Sequence, residues 1–239
     1  MFLMLILSVL TLIWFATGIS WRLYELRDSD PNRGAAKNGI DKFGSQITQT
    51  MYLDQGWSAA DSLWFYNTTQ GSNLLPYSFF LVLEQSGSSA LFRSDENIDR
   101  YGYLPQRPTI GNPDGLPVGM VRDEYQGKAF MGFTCAACHT TQINYAGIGI
   151  RIDGGPANSD METFMIDLAE ALHTTLETPE KLDRFVKNVL KRGHYENASD
   201  VLADLKKYAQ RIKTYTIINM PRDTKRPLTR YGYARLDAF

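Results

Sequence analysis

Two cysteines and a histidine within residues 135–139 carry the clearest chemistry in this sequence. The stretch reads Cys-Ala-Ala-Cys-His, the C-x-x-C-H pattern of covalent haem attachment. Two thiols at this spacing can form thioethers with the two vinyl groups of one porphyrin, and the following histidine can offer its imidazole to the iron. The motif therefore predicts one covalent haem c, tethered by Cys135 and Cys138 and ligated by His139.

Other uses of the two thiols can be compared directly, because Cys135 and Cys138 are the only cysteines in the chain. A structural zinc site needs about four ligands, and the chain offers only two histidines besides His139. A thioredoxin-like pair is expected in a βαβ unit, whereas a Thr/Gln/Asn-rich stretch follows this motif. A disulfide across two residues closes almost no loop and stabilises little. Haem attachment is the favoured interpretation, and the others remain alternatives.

The ligand on the other side of the iron is left open by the sequence. The weak candidates for this sixth position are Met120, Met220, His173 and His194. The methionines are expected in loops, His173 on the polar side of a helix and His194 at a helix end. The remaining alternative is an open position that binds peroxide or O₂.

Arginine is the usual partner of a haem propionate, because its guanidinium matches a carboxylate. Arg151 lies nearest to the motif and is the preferred candidate for this role. Arg107 and Arg122 are the other two candidates, and exposure at the surface is an equal expectation for all three.

An apolar segment at the N-terminus predicts a membrane anchor. Residues 2–19 are uncharged and mostly apolar, and as a helix they can cross a hydrocarbon core about 30 Å thick. Trp14 and Trp21 lie toward its end, where an interfacial aromatic belt is expected. The basic start and the A-x-A-like end of a cleaved signal are missing, which favours a retained anchor. Because haem c is attached outside the cytoplasmic membrane, we expect a single-pass protein with a periplasmic haem domain.

The rest of the chain predicts a mainly α fold with long irregular loops. We expect a transmembrane anchor over 1–22, a linker over 23–38 and a cytochrome c-like haem domain over 39–239. Glycines and prolines across 86–127 predict an irregular connection before the motif. After the motif, apolar residues at helical spacing predict three helices, with starts at Ser159, Thr178 and Ser199.

The net charge and the anchor limit the partners of this protein. A net charge of −1 argues against a nucleic-acid binder. Membrane lipid is the expected partner of residues 2–19. A redox partner protein or a larger membrane complex is the expected partner of the haem domain.

Sequence blocks around the motif also resemble a known group of proteins. These blocks are residues 132–143, 151–156, 66–85 and 231–239. They are similar to the N-terminal haem domain of bacterial di-haem cytochrome c peroxidases and, more closely, of rubber-oxygenase-like c-type cytochromes. The resemblance covers most of residues 45–239 and implies one-electron chemistry at iron, with peroxide or O₂ as a reactant.

The chain departs from that group in one respect. Such proteins carry a second C-x-x-C-H in a following domain, and this sequence has one such motif. In the peroxidases the second haem is where electrons enter. A non-catalytic electron carrier, or a structural cytochrome subunit of a larger membrane complex, is therefore the alternative function.

Overall fold

The computed structural model describes residues 2–36, 46–218 and 230–234, without the side chains of residues 2, 3 and 24–27. The helices are α1 (Phe2–Arg27), α2 (Ala59–Asn67), α3 (Tyr77–Val82), α4 (Asp95–Arg100), α5 (Cys135–Cys138), α6 (Met161–Glu177), α7 (Pro179–Leu190) and α8 (Ala198–Ile218). The strands are β1 (Gln49–Tyr52), β2 (Leu75–Pro76), β3 (Met120–Tyr125), β4 (Lys128–Phe133), β5 (Thr140–Tyr145) and β6 (Ile148–Asp153).

The expectation of a mainly α, cytochrome c-like fold is wrong. Helices make up 46% and strands 17% of the structure, which is an α/β fold with two small sheets. Four of the strands, β3 to β6, form two hairpins, whose turns lie at Gln126-Gly127 and Ala146-Gly147. All four of these residues have positive φ, between 48° and 81°, as a type I′ turn requires. Neither turn has the Asn-Gly or Asp-Gly signature that marks such hairpins in a sequence.

The two sheets stand on either side of the C-x-x-C-H motif in the chain. Sheet 1 has the order β1-β6-β5, with β1 parallel and β5 antiparallel to β6. Sheet 2 has the order β2-β4-β3 and is antiparallel. Because β4 ends just before the motif and β5 begins just after it, α5 connects one sheet to the other.

The buried side chains fall into a larger and a smaller cluster. In the larger cluster, α6 packs against α7 and α8, and α3 packs against α7 and β4. Phe164 and Leu168 are fully buried there. The smaller cluster is formed by Leu63, Tyr66, Leu104, Val118 and Ala136. The motif lies where these two clusters meet.

The three helices predicted after the motif are present, but two of their starts are shifted. Asp160, not Ser159, caps α6, and its carboxylate accepts from the backbone N–H of Thr163 at 2.9 Å. The start of α7 after Thr178 is confirmed. The side chain of Asn197, not Ser199, accepts the backbone N–H of Asp200 at 3.0 Å at the start of α8. The segment 86–127 is less irregular than predicted, since it includes α4 and β3.

The N-terminal helix matches the expected membrane segment in length and composition. Residues Met4–Leu23 have a mean hydropathy of 1.9, and none of that stretch is buried. A helix of this kind is long and apolar enough to be a membrane span or a signal sequence.

The segment after α1, expected as a linker, packs against the body of the protein. The carboxylate of Asp28 accepts from the backbone N–H groups of Ile110 and Gly111, at 3.3 and 3.0 Å. The guanidinium of Arg33 donates to Ser62 at 2.7 Å and pairs with Asp153 at 3.2 Å. These contacts hold residues 28–36 to the body.

Candidate functional site

The C-x-x-C-H motif forms a single helical turn that is fixed at both ends. The hydroxyl of Thr134 accepts from the backbone N–H of Ala136 at 3.2 Å, and Gln70 accepts from that of Cys135 at 2.9 Å. At the other end, the backbone N–H of His139 donates to the carbonyl of Cys135 at 2.8 Å. The flanking strands lie in different sheets, so the motif is not in the parallel βαβ unit that a thioredoxin-like pair requires.

The two alanines of the motif anchor this turn between the two buried clusters. Ala136 belongs to the smaller cluster and Ala137 to the larger one, with exposures of 1% and 3%. Gly119 packs directly on the turn and has a φ of +74°. A Cβ added to Gly119 would lie 2.0 Å from the backbone nitrogen of Ala137. Only glycine allows this close approach.

Residues 154–157 run beside the motif and bind its last two carbonyls. The backbone N–H of Gly154 donates to the carbonyl of His139 at 2.7 Å. The backbone N–H of Ala157 donates to the carbonyl of Cys138 at 2.8 Å. The segment Gly-Gly-Pro-Ala after β6 therefore positions the motif through its backbone.

The motif presents its reactive side chains outward. Cys135 and His139 are exposed and Cys138 is half-buried, and neither thiol is in a disulfide. Burial raises the pKa of the Cys138 thiol, and the neighbouring Cys135 raises it further. A raised pKa disfavours the thiolate that redox exchange and metal binding need. Among the described residues, no group of three or more His, Cys, Asp or Glu could hold a metal ion.

An aromatic wall lies beside Cys138. Tyr103 is 2% exposed, stacks on Phe133 at 5.9 Å between ring centroids and meets the edge of Phe164 at 5.4 Å. Burial is the main cause of the raised pKa of Tyr103, and charge on Cys138 would raise it further. The Tyr103 hydroxyl has no hydrogen-bond partner, although that of Ser159 is its neighbour.

Sheet 1 has a polar inner face and an apolar outer face. Along β6 the buried positions are Gly149, Arg151 and Asp153, which alternate with the half-buried Ile148, Ile150 and Ile152. Met51 and Ile143 are the partners of Ile150 on the two neighbouring strands, and they are 47% and 53% exposed. Met51, Ile143 and Ile150 thus form an exposed apolar surface on the outer face of sheet 1. It lies close to the end of the motif, because β5, which contains Ile143, begins directly after His139.

Arg151, the expected propionate partner, lies on the inner face of sheet 1. It is 1% exposed, its Nε donates to Gln142 at 2.9 Å, and its Nη1 has no partner. It therefore lies on the face opposite the apolar surface. The other two arginines are exposed, and each pairs with an acid: Arg107 with Asp95 at 3.4 Å and Arg122 with Glu124 at 2.7 Å.

Asp153 is a buried hydrogen-bond acceptor for three side chains, a role that the sequence did not indicate. Its carboxylate accepts from Ser62 at 2.6 Å, from the hydroxyl of Tyr66 and from Arg33 at 3.2 Å. Burial and the charge of Asp153 raise the pKa of Tyr66 well above its usual value. The cluster joins β6, α2 and the segment after α1. Its members are far apart in the sequence, so no local pattern could reveal them.

The described candidates for the sixth iron ligand are dispersed. Met120 is 1% exposed and packs in the larger cluster that includes Ala137, away from the exposed side of the motif. His173 has no partner at Nε2 and lies about 13 Å further along α6 than Phe164, at 1.5 Å per residue. His194 is exposed and lines a cavity of about 350 Å³ with residues of β4 and α8. Met220 lies outside the described residues.

Comparison with known proteins gives little guidance on function. No family model matches the chain, and no solved structure matches it. It is similar to the uncharacterized protein y4iJ of Sinorhizobium fredii (strain NBRC 101917 / NGR234), with 30% identity over 217 residues. The match covers 81% of this chain and 35% of the relative, so the chain spans about a third of that relative's length.

Proposed function

We propose that this chain is a membrane-anchored periplasmic c-type cytochrome that carries one covalent haem and transfers electrons. The observation that carries the proposal is the C-x-x-C-H turn, which is fixed by its backbone and presents two free cysteines and a histidine outward. The resemblance to di-haem peroxidases and rubber-oxygenase-like cytochromes agrees with this chemistry. A zinc or thiol-exchange function has weaker support, because the Cys138 pKa is raised and the described residues supply no metal-binding cluster.

Each residue of the motif has a defined role in this proposal. Cys135 and Cys138 would hold the haem by adding their S–H groups across its two vinyl groups, so that each would form one C–S bond and its proton would go to a vinyl carbon. His139 would hold the iron through its imidazole. When bound, the haem would supply one-electron chemistry, and this chain would tether and orient it.

The surroundings of the motif offer an exposed apolar surface on one side. Tyr103 and Phe164, beside Cys138, are buried in the core. The outer face of sheet 1 offers Ile143 and Ile150 close to the end of the motif. A haem laid against this surface would cover apolar area that is otherwise exposed to water, which is favourable at about 25 cal/mol per Å². In this arrangement Arg151 stabilises sheet 1 from its inner face and does not bind a propionate.

The proposed location follows from combining the apolar helix with haem attachment. A retained α1 would place residues 2–19 in the cytoplasmic membrane as a single span. Attachment of haem c takes place outside that membrane, so the body would lie in the periplasm. A redox partner protein or membrane complex would then exchange electrons with the haem.

Peroxide or O₂ chemistry is the second candidate function. It is favoured by the position of Met120, which packs in the core and is not turned to the exposed side of the motif. Reaction with these molecules needs an open sixth position on the iron. The alternative is an electron carrier, or a structural subunit, whose sixth position is filled.

A pyridine haemochrome spectrum of the full-length protein tests the proposal. We expect the spectrum of haem c, and its loss in the C135S/C138S double variant. Protein purified with free thiols and no haem would overturn it. Titration with CO and cyanide then separates the two functions. An iron that binds both ligands has an open sixth position, which peroxide or O₂ chemistry requires. An iron that binds neither has a filled sixth position, as expected for an electron carrier. In the native absorption spectrum, recorded without pyridine, H139A should shift the haem bands, whereas H194A should shift them only if His194 is the sixth ligand.

A further inference from the structure

The tryptophans of this chain are confined to two places. The chain has four of them: Trp14 and Trp21 lie in α1, and Trp57 and Trp64 lie just before and within α2. Trp57 and Trp64 are 43% and 51% exposed, although indole rings are among the largest apolar groups a protein can bury. Their exposure on the body of the protein calls for a partner.

The position of α2 indicates which partner this is. The helix α2 packs against α1. The carboxylate of Asp61, in the first turn of α2, has a lowered pKa because it accepts hydrogen bonds from Ser58. Arg22 is close enough to contribute to the same shift. Since Arg22 stands near the end of the apolar stretch Met4–Leu23, α2 lies where that stretch would leave the hydrocarbon core.

Trp57 is also held to the body at this level by contacts of its backbone and its ring. Residues 28–36 join α1 to the body through the Asp28 and Arg33 contacts described above. One of these is directly at the patch, because Nη2 of Arg33 donates to the carbonyl of Trp57 at 3.5 Å. The ring of Trp57 is fixed by an edge contact with Phe65 at 5.4 Å. Ile110, whose N–H is bound by Asp28, is 52% exposed.

We propose that Trp57, Trp64 and Ile110 form a lipid-contacting patch that lies in the headgroup region of the bilayer beside α1. Tryptophan suits this region because its ring is apolar and its N–H can donate to water or headgroup oxygens. The patch is continuous with the span, so the body of the protein rests on the membrane in one orientation. This inference depends on the retention of α1 as an anchor, which is part of the proposed function.

Depth-dependent fluorescence quenching tests the patch. The full-length holoprotein is reconstituted in phosphatidylcholine vesicles, with or without lipids brominated on the acyl chains. Each variant keeps one tryptophan, Trp14 or Trp64, and the others are replaced by phenylalanine. Near-UV circular dichroism checks that each variant is folded. Because both kinds of vesicle contain the same holoprotein, quenching by the haem cancels in the ratio.

K187W in a background without other tryptophans is the matched control. Lys187 is exposed on α7, whose described packing is with α3, α6 and α8 and not with α1. We expect strong quenching of Trp14 by brominated lipid, weaker but clear quenching of Trp64, and none in K187W. Aqueous iodide should quench K187W more strongly than Trp64.

Each other outcome overturns a defined part of the account. If brominated lipid quenches Trp14 but leaves Trp64 like K187W, the patch is wrong and the anchor stands. If Trp64 is protected from both iodide and brominated lipid, protein covers it instead of lipid. If Trp14 is not quenched by brominated lipid, the anchor is wrong and the patch falls with it.

Discussion

Replacement of Gly119 by alanine should loosen the turn that carries Cys135 and Cys138. Gly119 contacts the backbone of Ala137, and its carbonyl accepts from the N–H of Thr134 at 2.8 Å. The added Cβ would lie 2.0 Å from the Ala137 nitrogen, which is far inside van der Waals contact. The neighbour is backbone, so no side chain can rotate to relieve the overlap.

Two free-energy costs add in G119A, and a comparison with an alanine variant of a second glycine, Gly127, separates them. The positive φ of +74° costs alanine about 1–2 kcal/mol. Overlap in a packed site costs about 1–3 kcal/mol more. The total loss in the free energy of unfolding is therefore about 2–5 kcal/mol. In G127A only the first cost applies, because Gly127 has a φ of +73° with no atom within 4 Å of the added Cβ.

Urea unfolding of the full-length protein in detergent micelles, followed by near-UV circular dichroism, measures both losses. We expect G119A to lose about 1–3 kcal/mol more than G127A, as the overlap cost requires. We also expect less covalent haem in G119A than in G127A. Equal losses of stability in the two variants would refute the argument that the Gly119 contact positions the motif.

Three further predictions concern stability. In D153N, Arg33 loses its buried ionic partner, so the free energy of unfolding should fall by about 3–5 kcal/mol in urea titration; a loss below 1 kcal/mol would contradict this role. Y103F removes a buried hydroxyl that has no partner, so the free energy of unfolding should stay unchanged or rise by about 1–3 kcal/mol. A clear loss of stability in Y103F would show that the hydroxyl is hydrogen-bonded. The third variant is E84Q. Hydrogen bonds from Arg184 are the main cause of the lowered pKa of Glu84. The pair therefore stabilises the fold above about pH 4.5, and its contribution is lost as the pH falls through the lowered pKa of Glu84. E84Q should therefore flatten the pH dependence of the melting temperature in this range, and an unchanged profile would count against the pair.

The helical part of the fold was largely predictable, because its signals are local. Apolar residues at helical spacing predicted α6, α7 and α8, and Thr178 before a proline predicted the start of α7. The shifts at Asp160 and Asn197 are of one or two residues, since several capping residues stand next to each other at both places. The long apolar segment likewise predicted a helix that could span a membrane.

Strand β6 was missed because its buried positions are polar and its partly exposed positions are apolar. In β6 the buried face carries Arg151 and Asp153, while the isoleucines are partly exposed. Because apolar residues are normally the buried ones, this alternation predicts the wrong buried face for the strand. The polar inner face is made stable by Arg33 and Tyr66, which come from distant parts of the chain. Arg151 was a candidate for a haem propionate because it lies near the motif in the sequence, and the structure places it on this buried face, bonded to Gln142.

The central claim is that Cys135 and Cys138 covalently bind one haem. Its most direct test is the intact mass of the full-length protein, purified from the membranes of a bacterium that matures c-type cytochromes. We predict the 27.1 kDa polypeptide plus one haem, and the mass of the polypeptide alone for C135S/C138S. A wild-type protein with the mass of the polypeptide alone, and with both thiols open to alkylation, would contradict the account.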